Sequence, residues 1–419
     1  MLCEGTKDGG GGGGTVGINF GSATSGQGFD VATTVSQIMA SEQAIETPWK
    51  NQLTALQAQD AVFTTLGTDL ATLTTSLQNL TDFSGVLSQK QGSSSDTNLL
   101  SLTSADSTAV AGSHTVVVNS LAQTSSEYSA PIAASDTISG SVTIQVGSGA
   151  SQTITVDASS NTLKTFAAAI NSAGIGVTAS IITDVNGSRL SLVSGTGGSA
   201  GALTVTSGLS DTTTGGSAMS FQTGQTGVDA SLTVDGIALT SGSNTVSTAI
   251  PGVTFQLLSA SAGTPVQVQI TNDTVAIGTA VNSLVNAYNA VMKDINTQEG
   301  KDANGNAEPL FGNPALAQVQ SQLSGALLGG AASGAISNIM QLGINLNNDG
   351  TLSLNTDTLG AALNANFADV TGFLQNAGGF GQTLGTTLNN LGTQSTQGVV
   401  YLAQQQNVAQ EATLNQSIS

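Results

Sequence analysis

"PGVTFQLLSASAGTPVQVQITNDTVAIGTAVNSLVNAYNAV", residues 251–291, changes its hydrophobic rhythm partway along. Up to Ile270 the apolar residues fall on every second position, at Val266, Val268 and Ile270. From Ile277 they fall at Val281, Leu284, Tyr288 and Val291, in steps of four, three, four and three. A period of two is a strand, and a mean step near 3.5 is a helix with a seam for another helix. Asn272 and Asp273, just ahead of the helical run, are helix N-cap residue types. The stretch therefore predicts a β domain that hands the chain to a helix at about residue 272.

A matching helical seam stands near the other end. In residues 29–83, Trp49, Leu56, Phe63, Leu70 and Leu77 are spaced by sevens, and Leu66, Leu73 and Leu80 fill the second seam position. This is the a/d pattern of a coiled coil, although ordinary helical bundles carry it too. Pro48 suits the first turn of this helix, with Thr47 as its cap. The two seams predict an antiparallel pairing of Phe63, Leu66, Leu70, Leu73 and Leu77 with Ile277, Val281, Leu284 and Tyr288.

Between the seams, residues 91–271 read as β. "HTVVVNSLAQ", "GSVTIQVGSG" and "RLSLVS" alternate or run β-branched, with Gly, Ser, Asn and Asp between them. One helical island, "NTLKTFAAAINSAG", places Leu163, Phe166, Ala167 and Ile170 on one face and ends at Gly174. The Gly/Thr/Ser-rich stretch 195–227 reads as loops between two β units. After Ile277 the helical rhythm is broken by "DANGNAEPLFGNP" and by a hairpin, "INLNNDGTLSL", whose Asp349-Gly350 is a tight-turn signal. The first 30 residues, with six consecutive glycines, read as a flexible segment.

The fold class is therefore α+β multidomain: an antiparallel helical coiled-coil stem built from both chain ends, with β-rich head domains inserted between them. The expected divisions are 1–30 flexible, 31–83 the N-terminal half of the stem, and 84–130 the first part of a head domain. A second, inserted head domain takes 131–227, and 228–271 completes the first. Residues 272–419 form the C-terminal half of the stem, with a hairpin near 344–354.

Composition bounds what such a chain does. Charged residues are 8% of its 419 residues, against about 25% in soluble domains at large. Net charge is −19, and no Lys or Arg follows Lys301. Nucleic acid and anionic membrane surfaces both repel such a chain, because each is bound by cations. No run approaches the ~20 apolar residues of a spanning helix, so membrane insertion is not expected. Cys3 is the single cysteine, which excludes an intrachain disulfide. The first residues hold no apolar core of a cleaved secretory signal. Low charge with many small and β-branched residues points to an extracellular or assembly protein.

No catalytic, cofactor or metal site emerges. His114 is the sole histidine and precedes a strand; no nucleophile motif accompanies it. "DANGNAE" (Asp302, Asn304, Asn306, Glu308) has a partial likeness to a calcium loop, but its glycine is displaced to Gly305 and position twelve is Asn313. It reads as a solvated connector.

Taken together, "GFDVATTVSQIMASEQAIETPWKNQLTALQAQ" resembles the N-terminal region of the flagellar hook-associated protein 2 family, the filament caps. "TITVDASSNTLKTFAAAINSAGIGVTASIITDVNGSRLSLVS" is similar to the β-helix-β insertion module of flagellins and hook-associated proteins, with the A-I-N signature at Ala169, Ile170 and Asn171. "LTVDGIALTSGSNTVSTAIPGVTFQLLSA", "AVNSLVNAYNAVMKDIN" and "LGINLNNDGTLSLNTDTLGAAL" resemble the family's C-terminal region.

The resemblance covers most of residues 28–373 and implies a secreted, non-enzymatic homo-oligomer, a pentamer, at the distal tip of the bacterial flagellum. It implies flagellin, other cap subunits, hook-filament junction proteins and a type III export chaperone as partners. The family continues in a further long helix beyond the position of Ser419, and places chaperone docking and terminal coiled-coil closure there. Two other classes compete with the cap. One is an adhesin whose β heads recognise host mucin or another surface, with the stem as a stalk. The other is a different axial flagellar protein, against which "AIPGVTFQLL" and "NDTVAIGTAVNSLVNAYNAV" discriminate.

Overall fold

A computed structural model describes residues 31–419; the flexible segment expected at 1–30 lies outside them. The chain forms two compact units, one continuous from Val86 to Asp273, the other assembled from the chain before it and from Thr274–Ser419. N- and C-terminal helices thus flank a β-rich middle.

The β unit holds two cores. The first lies between a five-stranded antiparallel sheet and a three-stranded one. The larger sheet runs in the order Lys90–Ser94, Val266–Asn272, Gly112–Ser120, Ala230–Val234 and Ile237–Ser241. The smaller is Thr245–Ile250, Val253–Leu257 and Leu100–Ala105. In strand Val266–Asn272, Val266, Val268 and Ile270 are buried while Gln267 and Gln269 face out. The three apolar residues meet Val116, Val118, Leu232 and Phe255 in the same core. The turn at Asp235-Gly236 is a two-residue connection, with φ of 51° and 84°, the left-handed pair that matches strand twist.

The second core is built by residues 132–221. Its helix, Leu163–Ser172, starts at a capping box in which Thr162 and Thr165 each bond the other's backbone N–H. Leu163, Phe166, Ala167 and Ile170 are its buried face. Gly174, with φ of 61°, follows its end. Asn171 then fixes the helix to strand Val177–Asp184: its Nδ2 donates to the Ala179 carbonyl and its Oδ1 accepts from the Ala179 N–H, both at 2.8 Å.

The region 195–227 is not a loop. It contributes strand Leu203–Ser207, paired with Ser141–Val146, and strand Phe221–Gln225, paired with Thr124–Ser129. "LTVT" has a strand's alternation, with Leu203 buried, but the surrounding Gly and Thr dilute it below recognition.

In chain order the helices are α1 (Val31–Thr81), then α2 (Leu163–Ser172) of the β unit. Next come α3 (Thr274–Gln298), α4 (Pro314–Leu327), α5 (Thr356–Ala365), α6 (Phe367–Gln375), α7 (Phe380–Leu391) and α8 (Val399–Ile418), which join α1 in the helical unit. α1 continues through Pro48, which therefore does not begin it. The Ala, Glu, Gln and Met that precede Pro48 are strong helix formers, and together they outweigh one lost hydrogen bond. Thr47 does not cap; its hydroxyl donates to the Gln43 carbonyl one turn back. The hairpin pairs Ile344–Leu346 with Leu352–Leu354. Its loop is longer than the two residues Asp349-Gly350: Asn347 N–H bonds the Thr351 carbonyl, and Gly350 takes a φ of 80°. That is a three-residue loop with a bulged glycine.

Candidate functional site

α1 is the element on which the helical unit is organised, and it carries two long contacts of different chemistry. The first is with α3. Phe63, Leu66, Leu70, Leu73 and Leu77 of α1 and Ile277, Val281, Leu284 and Tyr288 of α3 are all buried, so the whole set predicted from the seams is interior. The helices run antiparallel. Thr75, Gln78 and Thr81 of α1, with Asp82 just past its end, line a cleft with Ala280 and Ser283 from the start of α3. Asp69, further back, faces Asp294 nearer its end.

The second contact is with α8. Asn407, 8% exposed, donates from Nδ2 to Asp60 Oδ1 at 2.9 Å and to Gln59 Oε1 at 3.4 Å. Gln404 Nε2 donates to Thr64 Oγ1 at 3.2 Å. Just before α8, Thr393 sits where a side chain on Gly67 would be, its Cγ2 2.8 Å from an added Cβ. The pairings 60 with 407, 64 with 404 and 67 with 393 make this contact antiparallel as well. α6 and α7 also pack on α1, and α4 on α7, so the long pairs belong to a bundle.

Between residues 54 and 75 the exposed residues of α1 are uncharged, and their hydroxyls turn inward. Thr54, Thr64, Thr65, Thr68, Thr72 and Thr75 are exposed, and each donates to the carbonyl four residues earlier. Near its start, Val35, Met39 and Ile45 lie exposed, at 51%, 55% and 53%. The cleft of about 670 Å³ between α1 and α3 is walled by Thr75, Gln78, Asn79, Thr81, Asp82 and Ser283. That lining offers hydroxyls, amides and one acid, but no nucleophile beside a base.

The other candidates are structural. His114 Nδ1 lies 2.7 Å from Asp235 Oδ2, and the same carboxylate accepts the Thr115 N–H at 2.8 Å; together they brace the left-handed turn. The hydrogen bond from His114 and that from the Thr115 N–H lower the Asp235 pKa. In "DANGNAE", Asp302 accepts the N–H groups of Asn304 and Asn306, and Gly305 turns with a φ of 85°. The carboxylate folds its own loop, and no group of three or more potential metal ligands occurs among the described residues.

This two-unit chain has relatives. Models of the flagellar hook-associated protein 2 N-terminus and C-terminus match residues 27–125 and 227–419. The flagellar hook-associated protein 2 of Escherichia coli K12 is 30% identical over 408 residues, 90% of this chain and 85% of that protein. The chain belongs to the flagellar hook-associated protein 2 family. Another member, the B-type protein of Pseudomonas aeruginosa, is 33% identical over 67% of this chain and 65% of its own length. Among solved structures, the D1-D2-D3 domains of the flagellar cap protein FliD from Escherichia coli match with a TM-score of 0.61 at 29% identity. That match covers 83% of this chain and 99% of the other.

Three polar residues of the helical unit escaped the reading of the sequence. Asn289 on α3 bonds the Leu352 carbonyl at 2.8 Å and the Leu352 N–H at 2.6 Å, as Asn171 bonds Ala179 in the β unit. Asn407 and Asp294 are the others. For Asn289 and Asp294 the one sequence signal is position, in or beside a helical seam otherwise filled by apolar residues. Asn407, on a helix that buries only Val400 besides, has none.

Proposed function

We propose that this chain caps the distal end of a flagellar filament and promotes the addition of flagellin there. The observation that carries this reading is the match of both units, in order, to a flagellar cap protein. The chain works as a homo-oligomer, a pentamer, reaches the tip through the flagellar type III export route, and meets flagellin, the hook-filament junction proteins and an export chaperone.

In this reading the helical unit is the working part. A cap that advances as subunits add must hold each contact briefly. The outer face of α1 is suited to brief contacts, since its threonine hydroxyls are turned to their own helix and it offers few charges to fix a partner. Exposed ion pairs add only about 0–1 kcal/mol, and small apolar and polar contacts release readily. The test is complementation of a cap-deficient flagellated cell, scored by filament length and by flagellin lost to the medium. Intact protein restores full-length filaments, also at raised salt. Variants whose helical unit is unfolded while the β unit stays folded leave filaments short and flagellin in the medium. Full-length filaments from such variants would refute the role of the helices, and surface binding by the β unit alone would then favour an adhesin.

A further inference from the structure

Within the apolar α1–α3 seam one polar contact stands out. Asp69 directly precedes the buried Leu70, and Asp294 directly precedes the buried Ile295. In each helix the acid thus holds a seam-flanking position, where helix pairs ordinarily set opposite charges. Here both groups are acids, and their side chains are within hydrogen-bonding reach of each other. Asp294 Oδ2 is buried and accepts no hydrogen bond from an N–H or O–H donor of the described residues. Two carboxylates in contact repel, and a buried one without a donor is costly. One proton removes both difficulties, because it turns one carboxyl into a donor for the other.

The surroundings offer no substitute. Lys293 is the cation that acts on Asp294, and it opposes the larger effects of burial and Asp69. On α1, Lys50 is paired with Glu46 and lies about 28 Å along the helix from Asp69; Asp60 is nearer and bonds Asn407. Beyond Asp294, α3 adds Glu299, and Lys301 follows the helix. Of the elements packed on α1 and α3, α5 brings Asp357, α6 Asp369, α8 Glu411 and the hairpin Asp349, while α4 and α7 carry no charge.

We propose that Asp294 holds a proton in the folded protein and donates it in a hydrogen bond to the Asp69 carboxylate, and that this proton latches α1 to α3. Burial, then the Asp69 carboxyl, raises the pKa of Asp294. A carboxyl whose folded pKa lies above its unfolded one contributes stability that is complete below the unfolded value. That stability is lost as pH rises through the folded value. The latch is therefore closed in acid and opens as pH climbs above the usual carboxylate range.

The experiment follows the unfolding of the full chain against pH, in wild type and in Asp294→Asn, Asp69→Asn and Glu42→Gln. An asparagine amide donates to the facing carboxylate at every pH, so either pair variant mimics the closed latch. Each pair variant is expected to unfold at a higher temperature than wild type above the transition, and to match it at low pH. Each loses up to one proton of linkage, a tenfold change in the unfolding constant per pH unit. Glu42→Gln, which removes an exposed charge of the same helix, keeps the wild-type slope. Selective ¹³C labelling of aspartate carboxyls gives a second readout that needs no stable variant. One carboxyl of the wild type titrates above the usual range, and it returns towards that range in Asp69→Asn. Wild-type slopes in both pair variants, or ordinary titration of every aspartate in the wild type, would overturn the proposal.

Discussion

α1 faces α3 and α8 with opposite chemistry. Against α3 it sets a continuous row of Phe and Leu. α3 buries eleven residues from Ile277 to Gln298 within the helical unit, and answers with Ile277, Val281, Leu284 and Tyr288 among them. Against α8 it sets Gln59, Asp60 and Thr64, and α8 buries only Val400 and Asn407. An apolar seam gains roughly 1.5–3 kcal/mol for each large side chain it buries. A hydrogen-bonded one gains about 1 kcal/mol per bond, but it specifies position more sharply. One helix thus carries a contact built for strength and a contact built for register. The first sets whether the helical unit exists, and the second sets how α8 lies on it.

The sharpest break of this contrast is Leu70→Asp, which buries an unpaired charge in the strong seam. It should cost several kcal/mol and remove most α1–α3 helicity, read by circular dichroism and thermal unfolding; an unchanged melting curve would contradict the seam. Tyr288→Ala leaves a large void in the same seam and should cost about 3–5 kcal/mol, measured by chemical denaturation. Asn407→Ala strikes the weaker contact. A loss of about 1–2 kcal/mol is expected, visible by hydrogen exchange as faster opening of α8 with α3 unaffected. Equal acceleration in both helices would mean that the two contacts are one. Smallest of all is Lys50→Ala, which removes the exposed pair with Glu46 at 2.6 Å. It should shift stability by no more than about 0.5 kcal/mol, and less in high salt.

The strong contact was legible in the sequence and the weak one was not, for a physical reason. Apolar periodicity is a local pattern, so Val266, Val268 and Ile270 declared a strand, and Phe63, Leu70 and Leu77 a helix face, without knowledge of any partner. Asn407 finds Asp60 across 347 positions, and nothing near either residue marks the match. Asp69 and Asp294 read as two ordinary surface acids until the helices are side by side. Pro48 misled because its penalty is local while the helix is held by its neighbours on both sides. The strands of 195–227 were missed because Gly and Thr can form a ladder without displaying a periodicity.

The two ends of the β unit are partners. Strand Lys90–Ser94 pairs with Val266–Asn272, Lys90 lies opposite Asn272, and the Asp273 N–H bonds the Gln89 carbonyl. In an unfolded chain, α1 and α3 would have to find each other across a loop of roughly 190 residues. Once that strand pair has closed, only a handful of residues separate them, and the closure entropy falls by about 3 kcal/mol. Folding of this protein should then run in a fixed order, from the middle of the chain outward. A substitution that weakens the Lys90–Ser94 strand would slow the assembly of helices it never touches, while leaving their rate of unfolding nearly unchanged.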